Sequence, residues 1–308
     1  MEAFELTYRN GVSVYNDALG RMIVSGASLS FSVEKTLFCG QCFRWTKSGD
    51  NEFFGIVYGI PLKIVQACPQ KVVIENTAGI IEPELAARLA GYFDLETDYN
   101  KLEEELSKKD SVLEQTISVA KGIRILRQEL FETVISFIIS QNNNIPRIKK
   151  CIELLCRNYG KKLLYGDELY AFPSAESLAA ADAAELQKSC RVGYRADFIV
   201  RTAKLFAENG ELFKSLYELP EKEQTEQLLE FPGVGPKVAN CILLFAGLSK
   251  SAFPVDVWVE RLMGELYGIT GKSRTELEKY GRAYFGENAG IAQQYLFYYI
   301  RSREGLHG

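Results

Sequence analysis

The sequence predicts an α+β protein, a small N-terminal antiparallel sheet followed by a longer all-helical region, and two observations predict it. Residues up to about 75 carry short β-type runs, FFGIVYG and PLKIVQA and then KVVIE, separated by turns that contain Gly, Pro and Asn. From about Pro83 the apolar spacing becomes helical, and amphipathic stretches such as LFETVISFII and CIELLCRNYG dominate to the end. A chain of 308 residues with 47% hydrophobic content can bury a large core, and its length favours two or three packed units. No internal repeat or low-complexity linker interrupts it.

Composition narrows the function classes. The net charge of −4 argues mildly against a nucleic-acid partner, but residues 119–205 carry 14 basic and 9 acidic side chains, so the middle third alone is basic. Seven cysteines without regular spacing suit a reducing compartment better than a disulfide framework. Cys39 and Cys42 form one CxxC, yet no second pair or histidine cluster completes a zinc site, so neither a metal nor another cofactor is expected. The only histidine is His307, which makes a mechanism built on a buried catalytic histidine improbable. The start MEAFELTYRNG is polar and acidic and the apolar runs are core-sized. An intracellular protein without a membrane partner is therefore expected.

The chemistry concentrates between Leu228 and Asp256. LLEF ends one apolar helical pattern, Pro232 and two glycines break it, and VANCILLFAG begins another. The spacing predicts two helices joined by a tight hairpin over residues 228–247. Gly233 and Gly235 permit close backbone approach. The unpaired amides at the start of the second helix, with the positive end of its dipole, suit a phosphate oxygen. Lys237 falls in the first turn of that helix, and Cys241 lies on the same face one turn on. A helix N-terminus disfavours a cation, which brings a neutral, nucleophilic amine within reach if the site is desolvated. A solvated lysine or a simple phosphate contact is the alternative. Pro254-Val255-Asp256 precedes VWVERLMGELYG, so Asp256 is placed as the N-cap of a further helix, and a fixed carboxylate can also face a cationic transition state.

This region resembles the helix-hairpin-helix, Gly/Pro and aspartate motif (HhH-GPD) of base-excision DNA glycosylases, with the lysine of the bifunctional glycosylase/lyases. More narrowly the chain resembles the 8-oxoguanine DNA glycosylases. Six segments in the family's order carry that likeness: FCGQCFRW (Phe38 to Trp45), SQNNNIPRI (Ser140 to Ile148), VGYRADFI (Val192 to Ile199), PGVGPKVANC, PVDVWV and AQQYLF (Ala292 to Phe297). The resemblance implies an N-terminal sheet domain over residues 1–118. A helical HhH-GPD catalytic region of two helical subdomains would follow over 119–308, with a cleft for DNA.

It also implies residue roles. Lys237 would attack C1′ of an extruded nucleoside to form a Schiff base, and Asp256 would stabilise positive charge on the sugar; β-elimination would then cleave the strand. An extruded nucleotide leaves a gap, which Asn142 would plug and Tyr194 would wedge, with Arg147 and Arg195 reading the orphaned base. An arginine can donate two hydrogen bonds to the exposed edge of cytosine, so cytosine is the expected opposing base. Taken alone, such polar turns also serve as ordinary helix connections. The Gly40 carbonyl would face N7, a donor in 8-oxoguanine and an acceptor in guanine, so that guanine leaves a buried acceptor unpaired. Gln293 would address the Watson–Crick edge, with Phe297 on one face of the base and Cys241 on the other. Gly233, Gly235 and Val238 would hold a DNA phosphate. The partner is then double-stranded DNA containing an oxidised guanine, and a monomer suits a clamp around one flipped nucleotide.

The chain departs from the family pattern at three places. Trp258 stands where many relatives have a histidine, Cys42 replaces a small polar residue, and Pro146 within the asparagine turn would stiffen it. Two other readings remain open: a glycosylase/lyase for another oxidised base, and a non-enzymatic helix-hairpin-helix DNA-binding module. The second would need neither the Lys237 and Asp256 pair nor the base-recognition residues.

Overall fold

The computed structural model describes residues 4–164 and 168–305, with the side chains of 211 and 212 left aside. His307 and the first three residues lie outside the described residues. The strands are β1 (Glu5–Thr7), β2 (Ser13–Asn16), β3 (Met22–Ser25), β4 (Trp45–Gly49), β5 (Glu52–Val57), β6 (Ile60–Cys68) and β7 (Lys71–Asn76). The first helices are α1 (Val33–Phe38), α2 (Pro83–Tyr92), α3 (Tyr99–Ser107), α4 (Ser111–Ala120), α5 (Leu130–Ser140) and α6 (Ile145–Tyr159). There follow α7 (Ala175–Ala179), α8 (Ala183–Cys190), α9 (Arg195–Glu208), α10 (Gly210–Ser215), α11 (Glu221–Leu229) and α12 (Pro236–Phe245). The last three are α13 (Val257–Tyr267), α14 (Arg274–Phe285) and α15 (Ala289–Arg303). No described helix is long and apolar enough to cross a membrane. The expected α+β class is observed: an antiparallel sheet followed by helices.

The described residues of Met1–Arg127 and Val255–Gly308 form one compact unit, and Gln128–Pro254 a second. In the first unit the sheet runs in the order β1-β2-β3-β7-β6-β5-β4 and every neighbouring pair is antiparallel. The three β-type runs read from the sequence become β5, β6 and β7, paired with Phe53 opposite Ile64 and Val65 opposite Val73. Alternation puts Phe53 and Val57 of β5, Leu62 and Ile64 of β6, and Val72 and Ile74 of β7 into one core with Trp45 and Met22. α1 breaks the run of strands. Ser32 caps it, its hydroxyl accepting from the Lys35 amide, and its last residue delivers the chain to Cys39 and Gly40.

What ties the helices of this unit to its sheet is polar. Arg124 is 1% exposed, and its guanidinium donates to the carbonyls of Phe93 (2.8 Å), Ser30 (2.8 Å), Asp94 and Thr97 (3.1 Å). Its ring-side face lies 4.2 Å from the centroid of Tyr99. Glu103, also buried, accepts from the Ser30 hydroxyl, the Gly122 amide and the Tyr295 hydroxyl of α15, each at 2.9 Å. A buried charge is tolerated only when its donors and acceptors are satisfied in this way.

Removing the cation should leave four backbone carbonyls without this donor and take away a positive charge that faces the buried Glu103. Arg124→Leu is expected to lower the free energy of unfolding by about 3–5 kcal/mol, measured by urea denaturation at neutral pH; a loss below about 1 kcal/mol would show that the network tolerates the gap.

Candidate active site

In the second unit, α11 and α12 flank the turn Glu230 to Gly235, the expected hairpin. Gly233 has φ +81°, and a Cβ there would lie 2.5 Å from the Phe198 ring, so both conformation and close packing demand glycine. Gly235 differs: it is the N-cap of α12 with no side-chain cap, and a Cβ there would meet nothing within 4 Å. Pro236 has no amide hydrogen, and the first intrahelical bond of α12 comes from Ala239 to the Gly235 carbonyl at 2.9 Å. The amides of Lys237 and Val238 therefore sit in the first turn, where the helix itself supplies no acceptor. An anion is the natural ligand of such an end.

Lys237 is half-buried, its Nζ 5.7 Å from the centroid of the Phe137 ring of α5. No carboxylate among the described residues of this unit holds it in an ion pair. Cys241, one turn on, is buried and not part of a disulfide. Between them on α12 is a residue that the sequence reading passed over. Asn240 is buried, its Nδ2 donates to the Pro236 carbonyl (2.9 Å) and its Oδ1 accepts from the Phe253 amide (3.1 Å). It pins the segment at Phe253 onto the helix that carries Lys237. A polar residue inside an apolar helix was the available signal.

The two turns expected to act in the duplex are joined within this unit. Asn142 is exposed at φ +45° and begins the turn between α5 and α6. Asn144 caps α6 by accepting from the Arg147 amide (3.0 Å), and the Arg147 side chain is exposed. Pro146 lies not within the asparagine turn, as expected, but in the first turn of α6, where its missing N–H is one that the helix end leaves unbonded in any case. Tyr194 is 56% exposed at the start of α9. Arg195 is only 4% exposed: its guanidinium donates to the carbonyls of Val192 (3.0 Å), Gln141 and Asn142 (3.2 Å) and lies 4.5 Å from the Tyr194 centroid. It therefore ties the two turns to each other, while its Nε–H is buried without an acceptor among the described residues. Gln141 extends the tie to the hairpin by donating to the Gly233 carbonyl at 2.9 Å.

The first unit holds the other named residues. Asp256 is the N-cap of α13, as the sequence predicts: Oδ1 accepts from the amides of Trp258 (2.9 Å) and Val259 (3.0 Å), and the second oxygen has no hydrogen-bond partner among the described residues. Gly40 has φ +91° in the turn after α1. Beside it Cys39 is buried, its thiol donating to the Thr36 carbonyl (3.2 Å) and pushed up to about 11 by burial. On α15, Gln293 is 5% exposed and its Oε1 has no hydrogen-bond partner among the described residues, an exception to the rule that buried acceptors are paired. Phe297, one turn on, is partly exposed, and the Arg301 guanidinium lies 5.3 Å from its centroid. Burial pulls the ionisation of Arg301 down, against the opposing influence of Cys39 and Asp256. Arg301 and Gln294, which donates to the Cys39 carbonyl at 2.9 Å, were not singled out from the sequence. Trp258, in the first turn of α13, is partly buried.

Comparison with known proteins follows this geometry. The family model of the N-terminal domain of 8-oxoguanine DNA glycosylases matches residues 24–134, and that of the HhH-GPD superfamily of base excision DNA repair proteins matches residues 135–285. The Clostridium acetobutylicum 8-oxoguanine glycosylase/lyase, solved with double-stranded DNA containing cytosine opposite 8-oxoguanine, is 38% identical with a TM-score of 0.86 over 99% of each chain. MBOgg1, solved with a low-affinity DNA ligand, is 34% identical with a TM-score of 0.88 over 99% of this chain and 100% of that one. The probable N-glycosylase/DNA lyase of Methanothermobacter thermautotrophicus is 31% identical over 274 residues, 80% of this chain and 86% of the relative. The chain belongs to the 8-oxoguanine DNA glycosylase family of the HhH-GPD superfamily.

The capping and chemical roles of Asp256 separate by substitution. Asp256→Ala should destabilise the protein by about 1 kcal/mol, and Asp256→Asn, which keeps the accepting oxygen, by a few tenths. Thermal melting checks this; equal losses would mean that capping is not what the carboxylate contributes to stability.

Proposed function

We propose that this protein excises 8-oxoguanine, preferentially opposite cytosine, from duplex DNA and then cleaves the abasic strand. The observation that carries the reading is Lys237: an amine outside any ion pair of its unit, in the first turn of a hairpin helix whose leading amides await an anion. The relatives support the choice of lesion, since the Clostridium glycosylase/lyase was solved on DNA with cytosine opposite 8-oxoguanine.

The sequence of steps follows from the roles available. The Lys237 amine attacks C1′ of the extruded nucleoside, the bond from C1′ to the base breaks, and the base departs with the electron pair. Opening of the sugar ring converts the adduct to a Schiff base, and the Asp256 carboxylate, fixed by its capping bonds, offsets the positive charge that develops. Loss of a proton from C2′ then expels the 3′ phosphate by β-elimination, and water releases the lysine.

Recognition uses the remaining groups. Gln293 presents its unpartnered Oε1 to the Watson–Crick edge of the lesion, Phe297 and Cys241 cover the two faces, and the Gly40 carbonyl accepts from N7–H. Asn142 and Tyr194 occupy the duplex gap. Arg147 reads the opposing base, with Arg195 as a second source of donors. The amides at Gly233, Gly235 and Val238 bind a backbone phosphate. One chain supplies every group named, so the active form is a monomer.

Incubated with a labelled duplex containing 8-oxoguanine opposite cytosine and treated with borohydride, the wild-type protein should form a covalent complex and Lys237→Gln none. Asp256→Asn should slow base release by about 100-fold, the scale of losing one charge-stabilising group. Binding of the duplex by intact wild-type protein without trapping or base release would overturn the assignment.

A further inference from the structure

Gly40 sits between two pinned neighbours. On its far side the Gln41 carboxamide is fully buried: its Nε2 donates to the carbonyls of Thr36 (2.9 Å) and Arg124 (2.8 Å), and its Oε1 accepts from the Leu126 amide (2.9 Å). On the near side the Cys39 carbonyl accepts from Nε2 of Gln294, 2% exposed on α15, at 2.9 Å. A peptide unit is planar, so a bond to the Cys39 oxygen also fixes the plane that contains the Gly40 nitrogen. With the preceding plane held by Gln294 and the following residue anchored through its buried side chain, Gly40 has a narrower choice of φ and ψ, although glycine is the residue with the widest choice when left free. The direction of its carbonyl is then determined by Gln294 and Gln41 together.

We propose that Gln294 is a positioning residue for lesion discrimination: its bond to the Cys39 carbonyl aims the neighbouring Gly40 carbonyl at N7 of the extruded base. The inference rests on the lesion reading proposed above and adds a residue to it. Adjacent glutamines on α15 divide the work. The Gln293 oxygen is buried and unpartnered among the described residues, hence available to a ligand, whereas the Gln294 amide is committed to the turn. Gln294 thereby places the acceptor for N7–H and the reader of the Watson–Crick edge in one frame, with Phe297 one turn further along. Hydrogen bonds and lone-pair repulsions both weaken as the angle degrades, so an acceptor that swings loses its preference for a donor over a lone pair before it loses affinity altogether.

The test uses Lys237→Gln, which holds DNA without turnover, and three duplexes carrying 8-oxoguanine, guanine or a tetrahydrofuran abasic analogue opposite cytosine. Adding Gln294→Met, similar in size but without a donor, should reduce the affinity ratio of 8-oxoguanine over guanine about five- to tenfold, the scale of one hydrogen bond. Affinity for the tetrahydrofuran duplex, which has no base to recognise, should not change. An unchanged ratio would overturn the inference, and so would equal weakening on all three duplexes, which marks a merely structural residue. If the parent Lys237→Gln protein itself fails to prefer 8-oxoguanine, the lesion reading falls first and the inference with it.

Discussion

A fully desolvated guanidinium is the constraint on which the first unit depends. Arg124 gathers backbone carbonyls from the segment after β3 and from the loop between α2 and α3. Its own carbonyl accepts from the carboxamide that fixes the turn at Gly40. Glu103 answers it and reaches α15 through Tyr295. Such a cluster adds little net stability, since dehydrating the charges is expensive, but it permits few alternative arrangements because almost any shift strands a buried charge. Gly40, Gln293 and Phe297 inherit that definition through the Gln41 and Gln294 bonds.

The second unit repeats the device with different parts. Arg195, bound to the carbonyls of three residues in two turns, and Gln141, bound to the Gly233 carbonyl, make one assembly of the Asn142 turn, the Tyr194 turn and the hairpin. In both units buried polar side chains serve the backbone. Three groups assigned to chemistry or recognition have no hydrogen-bond or ion-pair partner among the described residues: the Lys237 amine within its unit, the Gln293 oxygen and the second oxygen of Asp256. Preorganisation of this kind means that the site need not be reorganised when charge develops on the sugar.

Much of this was legible locally. The hairpin, the capping role of Asp256 and the strands β5 to β7 announce themselves through glycine and proline placement, a capping residue and period-two alternation. β1, β2 and β3, with three or four residues each, are too short for a pattern, and α1 interrupts a stretch that otherwise reads as strands. Nothing local says that α13, α14 and α15 return to the unit that holds the sheet. The positioning residues were least legible, because a glutamine declares its role only through its partner. Gln294 and Cys39 are 255 residues apart in the chain. Arg195 shows the same limit from the other side: the resemblance marks it as a base reader, whereas the structure has its guanidinium engaged with carbonyls.

The central claim is that the groups named above recognise one extruded 8-oxoguanine, and a crystal structure of Lys237→Gln bound to a duplex with 8-oxoguanine opposite cytosine tests it most directly. The account predicts the lesion outside the helix between Phe297 and Cys241, with N7 within hydrogen-bond distance of the Gly40 carbonyl and Asn142 in the vacated stack. A lesion still stacked in the duplex, or extruded into a pocket that leaves Gln293 and Gly40 without contact to it, would contradict the account.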